Sequence, residues 1–309
     1  MKNLQICKIC ESETKLRYVL EFDYLLMSKL QERQEIFRCK NCQSMETFPR
    51  YNNRELEKYY STEYSTAVSK KNILRYLQQI KYTFDFRKIM KHTSNKKIKI
   101  FDFGAGYGEF LAFLQERNIE VFGLEPTKLA RDFVFQKLGV KLFPETAENF
   151  NFSEKYDVVI MRHVLEHVSD PQKVLNEIFE NGLGHNSICM IKVPNGNSLE
   201  RKIFGRYWSC LDIPRHRFHF SKKSLRFMLK KAGFTNVVIN SEMVPMDLAR
   251  TVSSWLRNKI MPKRQKFINP QILDALLIII LAPLSAILSI FGASRLIVVA
   301  QKNEGKKIL

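Results

Sequence analysis

Acidic side chains are scarce in this chain: 31 Asp and Glu stand against 50 Lys and Arg over 309 residues, a formal charge of +19. The deficit is uneven. Residues 1–60 hold 11 basic groups against 9 acidic, 61–100 hold 10 against 2, and 194–309 hold 20 against 6. Only 101–193 is acidic, with 9 against 14. Such flanks suit an anionic partner, whether a membrane surface, a phosphorylated substrate or nucleic acid; the bland reading is charge that keeps the surface solvated. A secretory leader is also lacking. Met1–Cys10 contains charges and two cysteines and has no apolar core, which points to the cytoplasm. There the six cysteines are expected as thiols or metal ligands and not as disulfides. Hydrophobic residues at 45% and charged residues at 26% exclude a disordered chain.

A missing glycine is the most informative absence. An apolar strand, Ile98 to Phe103, runs into Gly104, Gly106 and Gly108, and a helix follows from Phe110. Glycines at that spacing allow a tight turn and let a ligand approach backbone N–H groups. The dinucleotide fingerprint G-x-G-x-x-G needs its third glycine at position 109, where this chain has Glu109. A pyrophosphate is a poor guest beside that carboxylate, and a cation is a better one. Asp102, inside the same segment, suits a positively charged ligand directly or through the loop backbone.

Cysteine supplies a second motif. Cys7-x-x-Cys10 is echoed by Cys39-x-x-Cys42, each pair reading as a tight turn that aims two thiolates at one centre. Together they make a tetrahedral set suited to structural zinc, since four thiolates leave no open position for a substrate. The 28-residue spacer between the pairs is longer than usual; redox motifs or chance are the competing readings. Residues 51–95 read as helical and basic, with aromatics at Tyr59, Tyr60, Tyr64, Tyr76, Tyr82, Phe84 and Phe86 that serve mainly for packing. From 98 to 241 strand and helix alternate, the pattern of a parallel sheet covered on both faces. Strands are expected at 98–103, 119–124, 140–143, 156–161, 187–193 and 236–241, with helices at 108–117, 127–138, 171–182 and 221–232. Glu125, at the carboxyl end of the second strand, is placed to accept the hydroxyls of a ribose. Thr146-Ala147-Glu148 could frame an adenine edge.

The segment Tyr156 to Pro171 contains His163-Val164-Leu165-Glu166-His167-Val168-Ser169-Asp170-Pro171. With D-x-G-x-G-x-G and the acidic end of the second strand, it resembles the class I S-adenosylmethionine-dependent methyltransferases over about 95–241 and again at 295–301. His163-x-x-Glu166-His167 also fits a zinc-protease signature, but that signature belongs on a helix and this one follows a strand. The methyltransferase resemblance implies an α/β fold, a doubly wound, mostly parallel, Rossmann-like sheet of seven strands whose last strand is antiparallel and inserted beside the fifth. It implies that Gly104, Gly106 and Gly108 approach the methionine part of S-adenosylmethionine and Glu125 its ribose. Ala147 would face the adenine and His163 the edge of the methyl-donor site.

After the fifth strand, Arg215-His216-Arg217-Phe218-His219-Phe220 leaves the ligand-binding edge of the sheet. This stretch, like the N-terminal cysteine module, resembles methyltransferases that act with bacterial surface-polysaccharide and lipid-linked glycan enzymes. His216 and His219, with His163, are the candidates for a general base on an acceptor hydroxyl, because imidazole titrates near neutrality. Arg215 and Arg217 could hold a phosphate; a purely structural role is the alternative for each.

Ile272–Phe291 is long enough to span a bilayer. Leu296–Ala300, however, reads as a strand that must return to the sheet, and Pro283 favours a broken helix or helical hairpin. With Trp255, Arg257, Lys259, Lys263, Arg264 and Lys266 upstream, 245–292 reads as an insertion lying on or dipping into an anionic leaflet; a buried pair in the fold or a dimer interface is the alternative. The chain thus divides into a cysteine module (1–50), a helical linker or lid (51–95), a methyltransferase domain (96–244 and 293–303) and the insertion (245–292). The expected activity is methyl transfer to a sugar hydroxyl or carbon of a nucleotide- or lipid-linked glycan at the cytoplasmic membrane face. A quinone, lipid or RNA acceptor, or a degenerate membrane scaffold, is the alternative. Nucleic acid is disfavoured because Val193-Pro194-Asn195-Gly196 is not an N-P-P-[YF] loop and an apolar insertion has no use on RNA.

Overall fold

A computed structural model describes residues 5–25, 28–52, 55–56, 58–59, 72–93, 98–242, 244–260, 270–290 and 292–303. The chain divides into two compact units. The first comprises Met1–Leu56, Val193–Phe227 and Ile239–Ile297, and the second Glu57–Lys192, Met228–Val238 and Val298–Leu309. Tyr60, Tyr64, Lys263, Arg264 and Lys266, all weighed above, lie outside the described residues.

The second unit is built around β4 (Lys99–Phe103), β5 (Glu120–Leu124) and β6 (Tyr156–Arg162). β4 pairs in parallel with β5 on one side and β6 on the other. The residues of β4 and β6 are nearly continuous apolar runs, as expected for strands covered on both faces: Ile100, Phe101, Val158, Val159 and Ile160 are fully buried. With β7 (Leu183–Pro194), β9 (Thr235–Glu242) and β10 (Arg295–Lys302) the sheet has six strands in the order β5-β4-β6-β7-β10-β9. The late strand 296–300 therefore returns beside the fifth core strand. A seventh strand over 140–143 does not form among the described residues. It is reduced to one parallel bridge, Leu124 with Phe143, in which Phe143 N–H donates to Gly123 and Glu125 N–H donates to Phe143. Pro144 stops the ladder there, having no N–H to give.

Helices α1 (Asn72–Met90), α2 (Glu109–Gln115), α3 (Lys128–Leu138) and α4 (Pro171–Glu177) belong to this unit. Tyr82 of α1 packs on Phe110 and Phe113 of α2, with ring centroids 5.0 and 5.6 Å apart. Asp85 of α1 reaches Lys192 at 2.7 Å, and both side chains are 2% exposed. Asp170 caps α4 by accepting from the Lys173 N–H at 3.1 Å.

The first unit holds an antiparallel sheet, β1-β2-β3-β8, made of Thr14–Asp23, Ser28–Cys39, Met45–Phe48 and Phe218–His219. The β1–β2 hairpin accounts for the long spacer between the cysteine pairs: it leaves at Cys10 and brings Cys39 back. Helices α5 (Leu199–Phe204), α7 (Pro245–Trp255) and α8 (Pro270–Ile290) also lie here. Between α5 and α7 in sequence, α6 (Lys222–Lys231) begins after Ser221, whose Oγ accepts the Ser224 N–H at 3.0 Å as an N-cap.

α8 corrects one expectation. It is a single helix through Pro283, not a broken helix or hairpin. Pro283 removes the bond to the Ile279 carbonyl, but both residues sit on the solvent-facing side, where water can take that carbonyl's place. Leu277 and Ser285 face inward, and α8 packs against α7. Among the described residues no helix is long and apolar enough to cross a membrane.

Under α7, Asp247 receives both Arg295 Nε (2.6 Å) and Nη2 (2.7 Å). Glu200 is buried near this pair, and burial followed by the Asp247 charge pushes its pKa up to about 8. A carboxyl raised this far binds a proton in the folded state that the unfolded chain releases near pH 4.3. Stability therefore falls as pH rises from about 4.3 to 8 and levels off above it. Thermal melts at pH 5 and pH 8 should show a larger Tm loss for the wild type than for Glu200→Gln; equal losses would remove Glu200 as the cause.

Candidate active site

The end of β4 makes a glycine turn into α2. Gly104, Gly106 and Gly108 all adopt left-handed backbone, with φ of 67°, 57° and 73°. Their surroundings differ. A Cβ on Gly108 would meet Val134 at 2.8 Å, so that glycine is needed for packing α2 against α3. A Cβ on Gly106 would meet nothing within 4 Å. The bare backbone at Gly106 therefore faces open space, where a ligand can lie against it.

Glu125 fixes this turn. Its Oε2 accepts the Gly106 N–H at 3.0 Å and its Oε1 the Thr127 N–H at 2.9 Å. Each carboxylate oxygen has a second lone pair, so Glu125 can still accept a ribose hydroxyl. Ala147 is buried in the turn after Pro144, and neighbouring Glu148 accepts the N–H groups of Ser169 and Asp170. That contact ties the 146–148 turn to the loop following β6.

Asp102 is fully buried below the turn, and Arg162 at the end of β6 donates Nη2 to its Oδ2 at 2.8 Å. Burial raises the Asp102 pKa, and the Arg162 charge opposes that rise. The Arg162 guanidinium lies over the Phe110 ring at 4.2 Å and the Tyr82 ring at 5.5 Å. The cation that Asp102 attracts is thus internal. Asp102 thus supports the loop through Arg162 Nη2 on its Oδ2, while its Oδ1 is buried and has no hydrogen-bond partner among the described residues. A ligand donor at the turn would complete it.

His163 follows β6 with φ of 59°, and its N–H donates to the Lys192 carbonyl at 2.9 Å. Its ring is 35% exposed, and Nδ1 stands 3.3 Å from Oε1 of fully buried Glu166. The family pattern matches here: the methyltransferase domain family covers residues 73–239. The chain belongs to that family. It is an S-adenosylmethionine-dependent methyltransferase. Orphaned Asp102 Oδ1, the open space over Gly106 and the acidic balance of 101–193 all fit a cationic sulfonium cofactor with an amino group.

Three solved structures of the same broad kind are similar to this methyltransferase. An S-adenosylmethionine-dependent methyltransferase from Archaeoglobus fulgidus is 19% identical over 74% of this chain and 94% of its own, with a TM-score of 0.49. A methyltransferase from Thermotoga maritima is 16% identical over 72% and 89%, at 0.46. The plantazolicin methyltransferase BpumL, in complex with S-adenosylhomocysteine, is 12% identical over 81% and 90%, at 0.47. No curated protein matches.

In the first unit His219 is fully buried in β8, its Nε2–H donating to Leu211 O at 2.9 Å, and burial lowers its pKa to about 4. A base must reach a substrate proton, so the reading of His219 as a base is corrected to a neutral packing residue beside Trp208. His216 is 9% exposed, with Nδ1 2.9 Å from Cys210 O and Nε2 3.5 Å from the Asp212 carboxylate. Arg215 is likewise not a phosphate ligand: its guanidinium is buried between Asp23 (3.0 Å) and Asp212. Arg217 is buried too, and its carbonyl accepts the Thr47 N–H at 3.0 Å.

Cys7, Cys10, Cys39 and Cys42 place all four Sγ atoms within 4.8 Å of one another. Cys7–Cys42 at 3.6 Å and Cys10–Cys39 at 3.5 Å are too long for disulfides and right for thiols around one centre. The Cys7 thiol is held well below its usual range by Cys42, whose own pKa rises in return.

Arg162 and the Glu125–Gly106 bond were not visible from sequence; a strand-end Arg opposite a buried Asp on the neighbouring strand is the signal that could have found the first. Asp102→Asn leaves the Arg162 guanidinium, 17% exposed, without its nearest counter-charge and is expected to cost about 1–3 kcal/mol, read by chemical denaturation. Gly106→Ala should cost only about 1–2 kcal/mol of stability for its left-handed backbone. It should also weaken S-adenosylhomocysteine binding at least about tenfold by calorimetry. Unchanged affinity in Gly106→Ala would move the cofactor off this turn.

Proposed function

We propose that this enzyme methylates a sugar hydroxyl or carbon of a nucleotide- or lipid-linked glycan at an anionic membrane face. The carrying observation is a solvent-facing apolar stripe on α8, Ile272, Leu276, Ile279, Ile280, Leu284 and Ile287, each between 44% and 76% exposed. The spacing puts them on one side of the helix, and an exposed stripe of this size marks an interaction surface. Exposed Lys259, and Arg250, which also approaches Asp274 of α8 at 4.0 Å, lie nearby in sequence and favour anionic lipid over a neutral partner. The helix would lie in the interface and not cross it.

Gly104, Gly106 and Gly108 would hold the methionine part of S-adenosylmethionine, Glu125 the ribose and Ala147 the adenine. When bound, the cofactor supplies an electrophilic methyl on a sulfonium. The chain's own task is to align the acceptor and exclude water. Of the three histidines, His163 has the exposure a base requires, and Glu166 orients its ring. The four cysteines would hold a structural zinc, with no coordination position left for substrate.

Two measurements test this reading. Ile279→Glu with Ile280→Glu, both on the solvent face, should abolish co-sedimentation with phosphatidylglycerol vesicles while leaving Tm within about 1 °C of wild type. Vesicle binding unaltered by the pair would sink the membrane part. Transfer of labelled methyl to sugar nucleotides or lipid-linked glycans, with none to quinones or RNA, is expected; the reverse preference would replace the acceptor class.

A further inference from the structure

A second concave feature lies on the first unit, at the base of the β1–β2 hairpin. A cavity of about 270 Å³ is lined by Lys15, Arg17, Arg38, Lys40 and Gln43 together with Cys39 of the cysteine cluster, so four cations face it beside one thiol. Glu13 pairs with Lys40 at the margin. Asn197 fixes the wall: its Oδ1 accepts Arg38 Nη2 at 3.0 Å and its Nδ2 donates to Gln43 Oε1 at 2.9 Å. Gln43 has a left-handed backbone, φ 64°, in the turn that carries Cys42.

Several donor atoms near this wall are nonetheless without an acceptor among the described residues. Arg38 Nε is buried with no hydrogen-bond partner among the described residues, and so is the Tyr18 hydroxyl. Arg201, 1% exposed in the first turn of α5, has both Nε and Nη1 buried in the same condition. Its charge and that of Arg17 bear directly on Arg38, beyond the effect of burial. Desolvating guanidinium groups beside one another is costly unless an anion neutralises them. Planar forks of this kind match phosphate oxygens.

We propose that the cavity lined by Lys15, Arg17, Arg38 and Lys40, with Arg201 close enough to act electrostatically on Arg38, binds the phosphate or diphosphate of a small-molecule ligand. The ligand's identity as the methyl acceptor rests on the reading above; the anion site itself does not. Nucleotide-linked and lipid-linked acceptors share this chemistry, so the cavity suits either source.

The test uses the full chain loaded with zinc, titrated calorimetrically with pyrophosphate, uridine diphosphate and a short-chain isoprenyl diphosphate. S-adenosylhomocysteine is titrated in parallel. Pyrophosphate should bind, and Arg38→Gln should weaken it by about tenfold, the loss of one charge-assisted contact. The exposed pair Lys15→Gln with Arg17→Gln should weaken it comparably without touching a buried group. S-adenosylhomocysteine affinity should hold in all of these variants. Tighter uridine diphosphate or tighter isoprenyl diphosphate would each support the site and name the source. Absence of pyrophosphate binding, indifference to both sets of substitutions, or binding of RNA alone would overturn it. Failure of methyl transfer to every glycan, with pyrophosphate still bound, would overturn the acceptor reading and leave the anion site standing.

Discussion

The buried pair of Asp102 and Arg162 is the constraint on which the cofactor half depends. Asp102 is on β4 and Arg162 at the end of β6, so the 2.8 Å contact joins two neighbouring strands just below the glycine turn. The same guanidinium lies on Phe110 of α2 and Tyr82 of α1. Two strands and two helices thus share one charge. A pair so deep returns little net stability against hydrophobic replacement. What it supplies is a tie between the end of β4 and the end of β6 where the turn begins. The Asp85–Lys192 pair repeats the device one strand further along.

Above that pair, Glu125 is shared between structure and ligand. By taking the N–H groups of Gly106 and Thr127 it sets the shape of the turn before any cofactor arrives. The donor and acceptor directions a ribose would use are then part of the folded chain, which is preorganisation in a concrete form. The first unit follows a different logic. There Arg215 is buried and satisfied by the carboxylates of Asp23 and Asp212. Among the described residues no carboxylate pairs with Arg38 or Arg201, and buried donor atoms of both are left without an acceptor.

Much of the cofactor half was legible in the residues. The strands around 98–103, 119–124 and 156–161 stand within a residue of expectation, because buried parallel strands are written as apolar runs ended by glycine or charge. The cysteine set was legible because a metal centre dictates spacing at each pair. The long spacer was not, since the hairpin that fills it has polar outward faces and gives no strong apolar period. The seventh strand failed at Pro144, a local stop that the apolar run Leu142-Phe143 concealed. Pro283 misled in the opposite sense: the helix runs on through it, with the Ile279 carbonyl on the solvent-facing side.

Sequence by itself determined the glycine turn, the cysteine quartet and the alternation of the sheet, because these rest on backbone conformation, ligand spacing and periodicity, all of them local. Tertiary structure decided which charged side chains were already spent. Asp102 and Arg215 belong to internal ion pairs, His219 to the core, and His163 keeps an exposed ring. Burial and pairing are set by residues distant in the chain, and a histidine or arginine carries no local mark of the partner that will claim it.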